Sequence, residues 1–186
     1  SIMGDGNSLT LLALLDAMTS NCKGAIEKAE RAVEIDPSAG DATALAGGTL
    51  LQCGRPKKAA ALFRLAIRLQ PYHPKWMPNG LGKSLLAHGK YDEAEEVLSA
   101  IIQSDTKNVH ERIKALTRLT VTSVFKEDFE NAKDYLKQLK KLAPNFSIET
   151  AKANDLSRGK MADQEFVRRY VDALKQLGVP EKEPSG

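Results

Sequence analysis

Four times along this chain, four small or apolar residues recur with an unchanging internal spacing of 4, 3 and 5 positions. The sets are Ala25, Ala29, Ala32, Pro37; Ala59, Phe63, Ala66, Pro71; Ala94, Leu98, Ile101, Thr106; and Ala132, Leu136, Leu139, Pro144. A step of 4 followed by a step of 3 keeps side chains on one face of a helix. A proline then ends it, because the residue before a proline is driven out of the α region. Self-similarity at a fixed period predicts a stack of repeated units that bury their apolar faces against one another.

Each beat has an upstream partner. Twelve residues before the leading alanine stand Ala13, Gly47, Gly82 and Thr120, small enough to let two helices approach closely. Five residues before it stand Ser20, Gly54, Gly89 and Glu127, in the slot where a first helix has to stop and turn. Each unit therefore reads as helix, short turn, helix, stop. The leading alanines step by 34, 35 and 38 residues. A helical hairpin of this length and pattern resembles the tetratricopeptide repeat. Leu9, Thr43, Pro78 and Leu116 stand where that family carries a bulky aromatic in the first helix. The resemblance implies an all-α, right-handed solenoid of helical hairpins. We expect four, over about 8–37, 41–71, 75–105 and 109–144. Asp41 is the expected N-cap of the second unit, and the first helix of the fourth, from Val109 to Phe125, is expected to be longer than the others.

Beyond Pro144 the period breaks. Ser147 is placed to cap a short helix to about Ala153, the polar stretch 154–162 reads as a loop, and Asp163 caps a last helix ending near Leu177. Phe166, Val167, Tyr170, Val171, Leu174 and Leu177 make one apolar stripe on it, as a capping helix requires. We expect capping helices within 145–180 and flexible ends at 1–7 and 181–186. The abrupt start Ser1-Ile2-Met3-Gly4 suggests a piece of a longer protein.

Two stretches resemble a narrower group. Cys53-Gly54-Arg55-Pro56-Lys57-Lys58-Ala59, continuing through Leu69-Gln70-Pro71-Tyr72-His73-Pro74-Lys75-Trp76, and the end, Pro144-Asn145-Phe146-Ser147 and then Leu174 to Glu181, are similar to the C-terminal repeat region of bacterial class III adenylate/guanylate cyclases. That resemblance implies a regulatory part of a larger bacterial signalling protein, without nucleotide chemistry in this chain. A free-standing cytoplasmic adaptor is the alternative.

Catalytic signatures are missing from the sequence. Gly80-Leu81-Gly82-Lys83-Ser84 ends like a phosphate loop but lacks its first glycine and lies within a repeat helix. His73, His88 and His110 are far apart, with no second ligand at helical spacing, so no metal site is expected. We expect no enzyme activity and no cofactor. A formal charge of +3 over 186 residues does not by itself imply nucleic acid. Cys22 and Cys53 lack a CxxC or disulfide-rich pattern and read as two structural or surface thiols in a reducing cytoplasm. The apolar run Leu9 to Met18 is too short for a membrane span. The acidic run Asp92, Glu93, Glu95, Glu96 and the basic run Lys133, Lys137, Lys140, Lys141 read as solvated outer faces.

In the repeat family, first helices line a concave groove that holds peptides. Carried over residue by residue, the inner positions are Ala44, Gly48, Leu51 and Gln52; Trp76, Asn79, Lys83 and Leu86; and Lys114, Thr117, Arg118 and Val121. The expected partner-binding set is Gln52, Trp76, Asn79, Lys83, Lys114 and Arg118, with Trp76 as an apolar anchor and the cations receiving carboxylates. Leu45 and Gly48 replace the polar residues of the family's chaperone-tail clamp, so that ligand is not expected. On this reading, Lys83→Glu with Arg118→Glu removes partner capture and leaves the fold intact. Self-association into a symmetric dimer through an uncovered stripe on the first helix is the second reading.

Overall fold

The computed structural model describes residues 6–104, 107–157 and 160–183. Thr106, the last member of the third beat, lies outside them, as do parts of the two expected flexible ends. Ten α-helices are formed: α1 (Gly6–Met18), α2 (Cys22–Ile35), α3 (Gly40–Gln52), α4 (Pro56–Leu69), α5 (Trp76–Ala87), α6 (Tyr91–Gln103), α7 (Val109–Phe125), α8 (Phe129–Leu142), α9 (Ile148–Asp155) and α10 (Gln164–Gln176). No strand occurs among the described residues. Helices α1 to α8 pair as four successive hairpins, followed by two capping helices.

The turns inside the hairpins share one backbone solution. Ser20, Gly54, Gly89 and Glu127 all have positive φ, from 61° to 77°. The next residue's N–H reaches back to the carbonyl five positions earlier: Asn21 to Asp16, Arg55 to Leu50, Lys90 to Leu85 and Asp128 to Ser123. This left-handed C-terminal closure satisfies carbonyls that the helix end would leave open. Glycine adopts it freely. Ser20 and Glu127 do so against their own steric preference. Asn21 and Asp128, next in line, cap the following helices with their side chains. Asp41 does not cap α3; Ala39 holds that position without a side-chain hydrogen bond, and Asp41 sits in the first turn.

Packing within a hairpin follows the small positions. A Cβ on Gly47 would meet Phe63 at 3.1 Å, and one on Gly82 would meet Leu98 at 2.5 Å. All the leading and middle residues of the four beats are buried. The first helices α3 and α7 are buried on most sides, with eleven buried residues in α7 against three in α8 and nine in α3 against four in α4. Second helices bury one stripe and form the outer layer. Salt bridges step across that layer from hairpin to hairpin, Lys58 to Glu30, Arg64 to Glu93 and Lys126 to Asp92 and Glu95. Exposed pairs of this kind contribute less than about 1 kcal/mol each.

Two sequence expectations are corrected here. Cys22 and Cys53 are joined in a disulfide, with their Cα atoms 5.3 Å apart. They lie 31 residues apart in sequence, and stacking of the first two hairpins brings them together. The cysteines therefore give no argument for a reducing compartment; disulfides persist in oxidising ones. The chain is also tied down further than expected at both ends. Gly6 is buried in α1, and Glu181 accepts the Glu149 N–H through its carbonyl and forms salt bridges with Lys152 and Lys175. No helix among the described residues is long and apolar enough to cross a membrane.

Candidate functional site: a concave face partly filled by the C-terminus

The capping helices do not simply close the end of the stack. The chain leaves α8, forms α9 and then reaches back to the second hairpin. There Ala162 donates its N–H to the Gln52 carbonyl, while the Gln52 side chain bonds the Lys160 carbonyl and the Ser157 hydroxyl at 3.1 and 2.6 Å. Helix α10 returns past the α5–α6 and α7–α8 turns, where Arg169 bonds the Tyr91 hydroxyl and stacks 4.5 Å above the Phe125 ring. It ends beside α9, where Ile148 donates to the Pro180 carbonyl. The apolar stripe of α10 is buried from Phe166 to Leu174, with Tyr170 fully enclosed.

At the centre lies a buried polar network. The Arg118 guanidinium holds the Asp155 carboxylate through Nε at 2.9 Å and through Nη2. Its Nη1 donates to the Asn79 carbonyl at 2.6 Å and to Asn79 Oδ1 at 3.0 Å. Asn79 Nδ2 donates to Glu111 Oε2 at 2.7 Å, and Glu111 pairs with Lys114 at 3.2 Å. The Tyr170 hydroxyl also donates to Asp155, and Lys83 Nζ donates to the Asp155 carbonyl. Burial alone would raise the Asp155 carboxyl, but Arg118 and Lys83 outweigh it and hold it down at about 2. Burial pulls the Lys83 ammonium down to about 8; Asp155 opposes this, and Arg118 and Lys114 add to it. For Arg118, burial acts downward and Asp155 prevails, leaving it raised.

All six expected groove residues line one cavity of about 290 Å³, together with Leu14, Gly48, Leu51, Phe63, Glu111 and Ser157. Their roles differ. Arg118 is buried and committed to Asp155 of the chain's own C-terminal segment, and Asn79 is buried between Arg118 and Glu111. Arg118 is not free to receive a partner's carboxylate, and Arg118→Glu would set two carboxylates together in the interior, so the expectation of an intact fold is overturned. Gln52, Trp76, Lys83 and Lys114 are half-buried; Gln52 and Lys83 also bond the C-terminal segment, and Lys114 pairs with Glu111. The cavity adjoins a second of about 560 Å³ lined by Leu14, Ala17, Met18, Gly48, Gln52, Ala153, Ser157 and Lys160. Nothing lies within 4 Å of where a Gly48 Cβ would sit. The open part of this face is thus a cleft between α1 and α3 on one side and Ala153, Ser157 and Lys160 on the other.

Asp155, Tyr170 and Ser157 escaped the sequence reading. Tyr170 was visible as part of an apolar stripe, but the destination of that stripe was not. Asp155 falls in a polar run whose composition reads as a loop. An ionisable residue amid such a run carries no sign that it will be buried.

Comparison with known proteins agrees with this geometry. Two family models, each described as a tetratricopeptide repeat, match residues 11–74 and 113–146. A structure of PilF from Pseudomonas aeruginosa is similar at 24% identity and a TM-score of 0.64, covering 92% of this chain and 75% of that one. A crystal structure of MamA is similar at 14% identity and a TM-score of 0.62, covering 96% and 99%. YrrB, described as a TPR protein with an unusual peptide-binding site, gives 17% and 0.56 over 92% and 87%. At these identities the likenesses show the fold. Curated protein sequences give no match. None of the proteins named here is a nucleotide cyclase. The two family models together span more than half of the chain, and the protein belongs to the tetratricopeptide repeat family.

Proposed function

We propose that the protein is a non-catalytic interaction scaffold that takes a peptide segment of a partner in the cleft between α1, α3, α5 and its own Ala153, Ser157 and Lys160. One observation carries the reading: Gln52, Trp76, Lys83 and Lys114, from three first helices, face a single opening with apolar walls. Trp76, Leu14 and Leu51 suit an apolar side chain. Lys83 and Lys114, beside the already neutralised Arg118–Asp155 pair, suit a nearby carboxylate. The hairpins are preformed, so binding requires little backbone ordering in the scaffold.

Gly48 provides the test. Gly48→Arg projects a long side chain into the empty cleft and improves helix propensity by up to about 1 kcal/mol. A library of random peptides displayed on phage is selected on the wild-type protein. The selected peptides combine an apolar and an acidic residue, and they lose binding to the folded Gly48→Arg protein. Equal binding to both proteins, or no enrichment, refutes the cleft. A setting within a larger signalling protein is the finer half of the proposal and rests on the cyclase-like motifs alone. A catalytic domain in the flanking coding sequence supports that setting, and its absence there overturns it.

A further inference from the structure

Helix α1 carries an apolar face that meets the cleft only at Met18. Leu11, Leu12, Leu15 and Met18 are 60%, 48%, 58% and 72% exposed, contiguous by helical spacing. The opposite face, with Thr10, Ala13 and Ala17, is buried in the first two hairpins. The other exposed large apolar residues, such as Ile35, Leu69 and Val109, stand singly on separate elements. Single exposed residues are ordinary, whereas a contiguous apolar patch marks an interface.

We infer that this α1 face pairs with the same face of a second copy of the chain. Two observations favour a copy as the occupant. The first is charge. Asp16 is the only charged residue of α1, and it points back to Lys28 at 2.6 Å, leaving the exposed arc neutral. A two-fold contact sets each group against its own copy or its near neighbours, which a neutral apolar face tolerates and a charged face does not. By the same criterion the exposed lysines of α8, Lys133, Lys137, Lys140 and Lys141, cannot pair with themselves. The second is area. Complete cover of those four side chains, roughly 500 Å² per copy, would bury at most on the order of 1,000 Å² in a symmetric pair, the lower end for a specific interface. An antiparallel pair of helices in contact along Leu11 and Leu15 satisfies both.

The test is sedimentation equilibrium of the whole chain from about 10 µM to about 1 mM. The average mass rises from 20.3 kDa toward twice that value. Leu11→Ser with Leu15→Ser weakens the association at least about tenfold without changing the circular dichroism spectrum, since both sites are exposed. Leu15→Glu weakens it further and makes it pH-dependent. High salt leaves the wild-type association unchanged or tighter, as apolar contact requires. Gly48→Arg leaves it unchanged, which separates this face from the peptide cleft. A monomer throughout, or a dimer that survives the leucine changes, overturns the inference.

Discussion

Removing the Cys22–Cys53 disulfide should loosen the first hairpin selectively. The bond closes a loop with a sequence separation of 31. In the chain-entropy treatment such a cross-link lowers the entropy of the unfolded state by an amount equivalent to about 3.7 kcal/mol at 25 °C. For a chain of this size, each kcal/mol moves the melting temperature by about 2–4 °C, so reduction should lower it by about 7–15 °C. Native packing of Cys53 against Ala17 and Ala25 survives reduction, so the loss arises mainly in the unfolded state. In a solenoid, each hairpin is held only by its neighbours, and an end hairpin has only one. The effect should therefore appear first in α1 and α2. The assay is thermal unfolding with and without a phosphine reductant, paired with hydrogen exchange resolved by helix. Protection of α1 and α2 should fall while that of α5, α7 and α10 is retained. A Cys22→Ala, Cys53→Ala protein should behave like the reduced one. Equal melting temperatures and equal α1–α2 protection in both states would refute the reasoning, as would thiols that alkylate before reduction.

Three further outcomes follow from the interior. Arg118→Ala leaves Asp155 buried without its partner and should destabilise by about 3–5 kcal/mol; Arg118→Leu combined with Asp155→Leu should recover part of that loss, and denaturant titration of the full mutant cycle checks it. Glu127→Gly, at a φ of 61°, should raise stability by up to about 1 kcal/mol by removing the left-handed strain, an effect readable as a small rise in melting temperature. Lys83 has a folded pKa of about 8 against an ordinary 10.5, so between those values the folded form gives up a proton that the unfolded form keeps, and stability on its account rises with pH. The stability advantage of Lys83→Met over wild type should accordingly shrink as pH is raised across that window, as measured by denaturant midpoints; a constant difference would refute the lowered Lys83 ammonium.

Local signals accounted for the hairpins. Each beat of 4, 3 and 5 selects one buried stripe, and each closing residue stops a helix within a few positions, so neighbours in sequence carry the information. The slot at Ser20 and Glu127 illustrates the limit of such signals. Its position was legible from the spacing, but the left-handed backbone there is imposed by the turn on residues that do not favour it. That the six expected groove residues line one cavity follows from their shared position on successive first helices; that Arg118 binds Asp155 there does not.

What the sequence determined by itself is the repeated hairpin and its small-residue contacts, since these are set by residue spacing within one helix-turn-helix unit. Tertiary structure alone decided what that inner face meets. Arg118 and Asp155 are 37 residues apart and Gln52 and Lys160 are 108 apart, and they meet only because the C-terminal segment turns back along the stacked hairpins. The Cys22–Cys53 bond has the same origin. Periodicity records which face of a helix is buried; it holds no record of which distant segment buries it, because that depends on the path of the whole stack.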